Sequence, residues 1–224
     1  MRNIVDKCLY RVAPMIYPVK PMITRVVSVA AIAILFGTPI SAQRASYWQT
    51  SAAQETNGRE EPAKAYFTDV VLMNQDGQEM RLFSDLIKGK TVIIIPFFTS
   101  CTGACPVMNQ NLAKIQDRLG DRLGKDAYMI SISVDPATDT VQKLQEYAKK
   151  MNARPGWFFL SGKRENVEFA LKKLGQFVEN REDHSNIMII GNERTGLWKK
   201  AFSLASSESL MPIVESVLND KGEK

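Results

Sequence analysis

The sequence predicts an α/β domain, and three observations carry the reading. Largely apolar runs occur at 91–98, 128–134 and 187–190; apolar residues recur at helical spacing between them, as in Met108, Leu112, Ile115 and Leu119; and glycines close those repeats. Runs of that length suit strands covered on both faces, and a repeat every three or four residues suits a helix with one buried stripe. The region after the first 62 residues, about 160 residues, is ample to enclose one core. No internal repeat is present.

Taken in order, residues 66–73 read as a strand, Asn74-Gln75-Asp76-Gly77 as a turn and 78–82 as its hairpin partner. Ser84 can cap a short helical turn through Ile87. Residues 91–98 form a central strand, and the repeat from Met108 to Leu119 is a helix stopped by Gly120 and Gly124. Residues 128–134 are the next buried strand. Asp139 with Gln142 three residues on resembles a capping box, opening a helix that continues through Met151. A short strand follows at 157–160, then a helix marked by Val167, Ala170, Leu171 and Leu174 and ended by Gly175. Residues 187–190 and 197–202 flank the turn at 191–196 as an antiparallel hairpin. The closing helix spans 209–218, with Pro212 tolerated in its first turn. The order β-α-β-α-β-α-β-β-α is that of a thioredoxin-like fold, here with an N-terminal β-hairpin extension.

The first 42 residues stand apart. Arg2, Lys7, Arg11, Lys20 and Arg25 precede an almost unbroken apolar stretch at 26–36, and Ser41-Ala42 precedes Gln43 as a cleavage site would. This reads as a signal peptide, or as an N-terminal membrane anchor if it stays attached. The apolar stretch is shorter than the roughly 20 residues a spanning helix needs. It is continuous rather than amphipathic, unlike a mitochondrial presequence. Export to the periplasm follows, with a tether to the inner membrane if the leader is retained. Residues 43–62 are polar and read as a flexible linker, and 63–224 as the domain. Cys8 would leave with the leader, which also takes five of the 29 Lys/Arg and one of the 24 acids. The rest then holds 24 basic against 23 acidic residues, a net of about +1, so the charge gives no case for nucleic-acid binding.

Two cysteines remain, in Phe97-Phe98-Thr99-Ser100-Cys101-Thr102-Gly103-Ala104-Cys105-Pro106, and the one histidine of the chain is His184. Pro106 fits the first helical position, which puts Cys105 at the N-cap facing free N–H groups. That setting favours the thiolate, the form that attacks disulfides and binds metal. The small spacer, with Gly103 free to take a positive φ, lets both sulfurs meet one centre. Spacing alone leaves disulfide and metal open. Thioredoxin-type oxidoreductases, however, use two residues between the cysteines and keep a proline near the pair. This chain uses three, has no proline between Pro155 and Pro212, and carries Asp183-His184-Ser185 where that proline would stand.

Cys101-x3-Cys105-Pro106, Ser133-Val134-Asp135-Pro136 followed by Asp139-Thr140, and Asp183-His184-Ser185 before an apolar strand together resemble the Sco/SenC family, over roughly residues 63–220. The resemblance implies a copper-binding protein of thioredoxin fold that helps assemble the copper centre of cytochrome c oxidase. By position it implies Cys101, Cys105 and His184 as metal ligands. It also implies as partners an oxidase subunit or another copper chaperone, and a protein that keeps the thiols reduced. Ligand chemistry agrees: two thiolates and an imidazole suit soft Cu(I), while structural zinc wants four protein ligands and the domain offers no third cysteine or second histidine.

The expected role is that of a metallochaperone rather than an enzyme. The alternative is a thiol-disulfide oxidoreductase in which Cys101 and Cys105 are the catalytic pair, acting on the cysteines of a metal-site partner. A peroxidase of the peroxiredoxin type shares the fold but needs a different cysteine–proline arrangement. Asp183 is a candidate to orient the imidazole. Asp135-Pro136 reads as a turn beside the site, Met108 and Met188 as core residues, and the lysines at 143–150 and 172–173 as solvated helix faces. No phosphate-binding loop, Ser-His-Asp set or paired-carboxylate site stands out.

Overall fold

The apolar run beginning at Thr91 becomes the middle strand of a five-stranded sheet. The structure, a computed structural model, describes residues 62–222; the expected leader, and the linker through residue 61, lie outside them. The N-terminal hairpin is β1 (Val71–Met73) with β2 (Glu79–Arg81). The sheet comprises β3 (Thr91–Phe97), β4 (Ala127–Ser133), β5 (Trp157–Leu160), β6 (Ile187–Asn192) and β7 (Leu197–Phe202), in the order β5-β4-β3-β6-β7. β3, β4 and β5 are parallel, β6 is antiparallel to β3 and β7 to β6. The helices are α1 (Cys105–Leu119), α2 (Val141–Lys150), α3 (Arg164–Leu174) and α4 (Ser207–Leu218). This is the expected α/β arrangement, in the expected order. Among the described residues, no helix is long and apolar enough to cross a membrane.

Alternation along β3 divides the core in two. Ile93, Ile95 and Phe97 pack with α1, α2 and α4. Val92 and Ile94 pack with α3 and with a π-helical turn at Leu82–Ile87 on the opposite face. Every residue of β3 is buried, which is why its sequence shows no polar alternation.

Four local readings differ from expectation. Residues 62–67 form a helical turn, not the start of a strand, because Phe67 packs into the core and Thr68 takes φ 56° before β1 begins. Ser84 does not cap the turn that follows β2. Its N–H and hydroxyl both donate to Asp69 instead, at 2.8 and 2.6 Å. The N-cap of α2 is Thr140, whose Oγ1 accepts from Lys143 N, and Asp139 turns inward. Ser206 caps α4 two residues earlier than expected, so Pro212 lies inside that helix, where it removes one i to i−4 bond.

The hairpin covers one edge of the sheet. Met73 and Ser161 exchange backbone bonds at 2.8 and 2.9 Å. The Gln75 amide donates to Trp157 O at 3.1 Å and accepts from Phe159 N at 2.9 Å, as a neighbouring strand would.

The middle of the sheet opens at one end. The β3–β6 ladder stops at Ile94↔Ile189, although both strands continue. Pro96 explains the stop. Phe97 O accepts from Val134 N on the β4 side, so Pro96, one residue back, turns its nitrogen toward β6 and has no proton to donate. The Ile187 carbonyl is taken by Gln176 Nε2 at 3.0 Å. The loop leaving β3 and the loop entering β6 meet beyond this opening.

Candidate metal centre

Cys105 is the first residue of α1, and Ala104 is its N-cap, one position earlier than the sequence suggests. The shift matters, because a residue inside the first turn directs its side chain by helical geometry. Cys105 is buried, 1% exposed, and lies close enough to Tyr147 to act on its hydroxyl electrostatically. Cys101 lies in the loop before the helix, partly exposed, its N–H donating to Phe98 O at 3.2 Å. Both thiols are free.

His184 follows a 3-10 turn at Arg181–Asp183 that Asn180 caps, its Oδ1 accepting from Glu182 N at 3.1 Å. The imidazole is buried and stands edge-on to Phe98, centroids 5.4 Å apart at 76°. Its Nδ1 faces the Ser185 carbonyl at 3.4 Å. That orientation is set by Ser185 and Phe98 rather than by Asp183, the sequence candidate. Nε2 is left facing the sulfurs, 3.8 Å from Cys101 Sγ and 3.7 Å from Cys105 Sγ.

The three donor atoms lie within 4.8 Å of one another, the only such His/Cys/Asp/Glu group among the described residues. With metal–ligand bonds of about 2.0–2.3 Å, three donors around one ion stand roughly 3.5–4 Å apart. The two nitrogen–sulfur separations fall in that window. Two sulfurs and one nitrogen are also the donors a soft, low-coordinate cation prefers. The trio brought together is the one the sequence singles out.

The electrostatics of Cys105 overturn one expectation. Burial, reinforced by the neighbouring Cys101, pushes its thiol up to about 12. The helix N-terminus does not make a free thiolate here, because desolvation outweighs the dipole. A bound cation reverses that balance, since coordination removes the thiol proton outright. Unfilled, the site therefore holds Cys105 as a neutral thiol. Tyr147, which feels the charge of both cysteines, is likewise pushed up to about 12 by burial, and Asn109 donates to its hydroxyl.

Several contributing residues carry no sign of their tertiary partners in the sequence. Phe98 separates the histidine from Arg181, whose guanidinium lies 5.1 Å from the ring centroid. Arg181 also pairs with Asp135, whose side chain is mostly buried. Asp139, 1% exposed, accepts from Thr99 and Ser133. Locally Asp135 reads as part of a turn and Asp139 as a helix cap, and only tertiary contact shows their partners. Met108 and Met188 are buried in the core cluster, as expected.

Comparison with known proteins gives a consistent result. The family model described as SCO1/SenC matches residues 43–218. A SCO1 protein homolog of Bacillus subtilis is 32% identical over 118 residues, 51% of this chain and 60% of that protein. The chain thus spans less than two thirds of that relative's own length. Copper-bound ScoI of Arabidopsis thaliana superposes with a TM-score of 0.54 at 27% identity, over 66% of this chain and 92% of the other. BsSco, described as a Sco-family cytochrome c oxidase assembly protein with a disulfide switch, gives 0.56 at 26% identity, over 67% and 92%.

Proposed function

The chain belongs to the SCO1/SenC family, and on that premise we propose that it is a copper chaperone acting in cytochrome c oxidase assembly. Copper is its cargo, taken by Cys101 Sγ, Cys105 Sγ and His184 Nε2 and passed to an oxidase subunit or another copper protein. One observation carries the reading: two thiols and an imidazole converge within 4.8 Å. The unequal exposure of the sulfurs gives the transfer a direction. Cys101, at the surface, is the sulfur a partner's thiolate reaches first, while Cys105 and His184 retain the ion from below. Exchange through shared ligands requires both thiols reduced, hence a partner that supplies reducing equivalents. The leader read at residues 1–42 supports an exported protein working in the periplasm, either released or held at the inner membrane.

The test is Cu(I) stoichiometry and affinity of the reduced full-length chain under a competing chelator. Wild type should bind one equivalent. Cys101→Ala, Cys105→Ala and His184→Ala should each fold and lose at least about tenfold in affinity, equivalent to about 1.4 kcal/mol. Undiminished binding in all three variants would refute the reading.

A second reading draws on the same pair. A partly exposed thiol beside a buried one is the layout of an attacking and a resolving cysteine, and both are free. Here Cys101 attacks a partner disulfide and forms a mixed disulfide. Cys105 then displaces the partner's second sulfur, passing two electrons and two protons in total. This needs no imidazole, so full complementation by His184→Ala in an oxidase-assembly assay would favour reduction over delivery.

A further inference from the structure

The segment 133–140, from the last residue of β4 to the N-cap of α2, contributes no metal donor, yet its side chains reach both loops that do. We propose that this connection holds the two halves of the site in register: Asp139 positions the cysteine loop through Thr99, and Asp135 positions the histidine loop through Arg181. The inference rests on the copper reading above and adds positioning residues to it.

The cysteine half comes first. Asp139 is buried, and a buried carboxylate is tolerated only where donors surround it. It accepts from Thr99 N at 3.2 Å, from Thr99 Oγ1 at 2.5 Å and from Ser133 Oγ at 2.6 Å. Capping of α2 is left to Thr140, so Asp139 serves Thr99 and not its own helix. Thr99 stands two residues before Cys101, where the chain leaves β3. Fixing its backbone N–H and hydroxyl together fixes the direction in which the cysteine loop departs.

The histidine half uses the other carboxylate. Asp135 accepts from Arg181 Nη1, and Arg181 opens the 3-10 turn that ends at His184. The same guanidinium covers the Phe98 ring, which stands edge-on to the imidazole. The two halves share a joint: Ser133 Oγ donates to Asp139 and accepts from Asp135 N at 3.0 Å. Outer partners of this kind orient donor atoms without touching the ion.

The experiment compares the full-length wild type with Asp139→Asn, Thr99→Val, Asp135→Asn and Arg181→Gln. Leu171→Ala, in the core on the opposite face of the sheet, controls for lost stability. Three quantities are read: Cu(I) affinity under a competitor, the reduction potential of the Cys101–Cys105 pair without metal, and the alkylation rate of Cys105. Asp139→Asn and Thr99→Val should lower the affinity roughly 10–100-fold and shift the potential. Asp135→Asn and Arg181→Gln should lower the affinity by a similar factor, leave the potential unchanged, and speed alkylation of the Cys105 thiol that His184 covers. Leu171→Ala should move none of the three among folded molecules. If Asp139→Asn does not fold, Thr99→Val, which removes one hydroxyl, decides that half. Site variants that match wild type, a control that moves all three, or Arg181→Gln shifting the potential as far as Thr99→Val would each overturn the proposal. Wild type that binds no copper sinks the function and not this inference. Potential and alkylation then decide it alone.

Discussion

At the N-terminal end of β3 the backbone is paired on both sides, Thr91 with Ala127 of β4 and with Asn192 of β6. At the C-terminal end only the β4 side is paired, and side chains hold what lies beyond. Near the first end, Gly124 and Gly156 touch backbone to backbone, so that a Cβ on Gly156 would sit 2.4 Å from Gly124 N. At the second, Asp139, Asp135, Arg181 and Gln176 each make one or a few replaceable bonds. A ladder fixes strands and leaves no room for chemistry. Side-chain contacts fix loops one bond at a time, which lets function be separated from stability.

That contrast can be broken first where it is most rigid. Gly156→Ala should cost about 3 kcal/mol or more, from the close approach and from φ 98°, read as a fall in the urea midpoint. The folded fraction should bind copper as wild type does; a cost below about 1 kcal/mol would mean the strand ends are not rigid. Pro96→Ala sharpens the comparison at the open end. It adds an N–H aimed at a ladder that has stopped, and it frees the unfolded chain. The expected loss is about 1–2 kcal/mol, and a gain would mean that β6 can be zipped further.

The smallest effect is electrostatic. Burial acts to raise the Asp135 carboxyl, but the Arg181 guanidinium bonded to it, helped by hydrogen bonds from Thr138, wins and holds it below its ordinary 3.8. A carboxylate lowered on folding stabilises the protein above its unfolded value and loses that contribution as pH falls through the folded one. Because Arg181 is 41% exposed, solvent screens the pair, and its contribution should be the smallest of the three effects. The stability difference between wild type and Asp135→Asn should be flat from pH 7 to about 5 and shrink below 3.8. A difference that grows toward acid would mean that the bond to Arg181 does not hold the carboxylate.

The sequence carried the parts governed by local rules. Gly175 ends α3 in the left-handed conformation, as its place after the apolar repeat implied. The cysteine spacing and the lone histidine before a strand pointed to three residues that the fold brings together. Distant partners defeated the remaining readings. Asp139 carries a genuine local capping signal, and the adjacent Thr140 takes that role while the carboxylate finds Thr99 across the domain. Cys105 sits at a helix start, which argues for a thiolate until its burial is known. Tyr66 reads as strand by composition, yet its ring contacts Phe67 and its hydroxyl donates to Lys173 O at 2.9 Å. Pro96 was visible all along, and proline in a central strand is the one signal that could have located the opening.

The contact of Gln75 with β5 reaches past the site. By lending its amide as a surrogate peptide unit, the hairpin closes one of the two flanks along which sheets of separate molecules can fuse. The other flank is β7, where Lys199 and Lys200 discourage a cross-molecular strand. With one edge capped and the other charged, the sheet is guarded against pairing edge to edge with a second molecule.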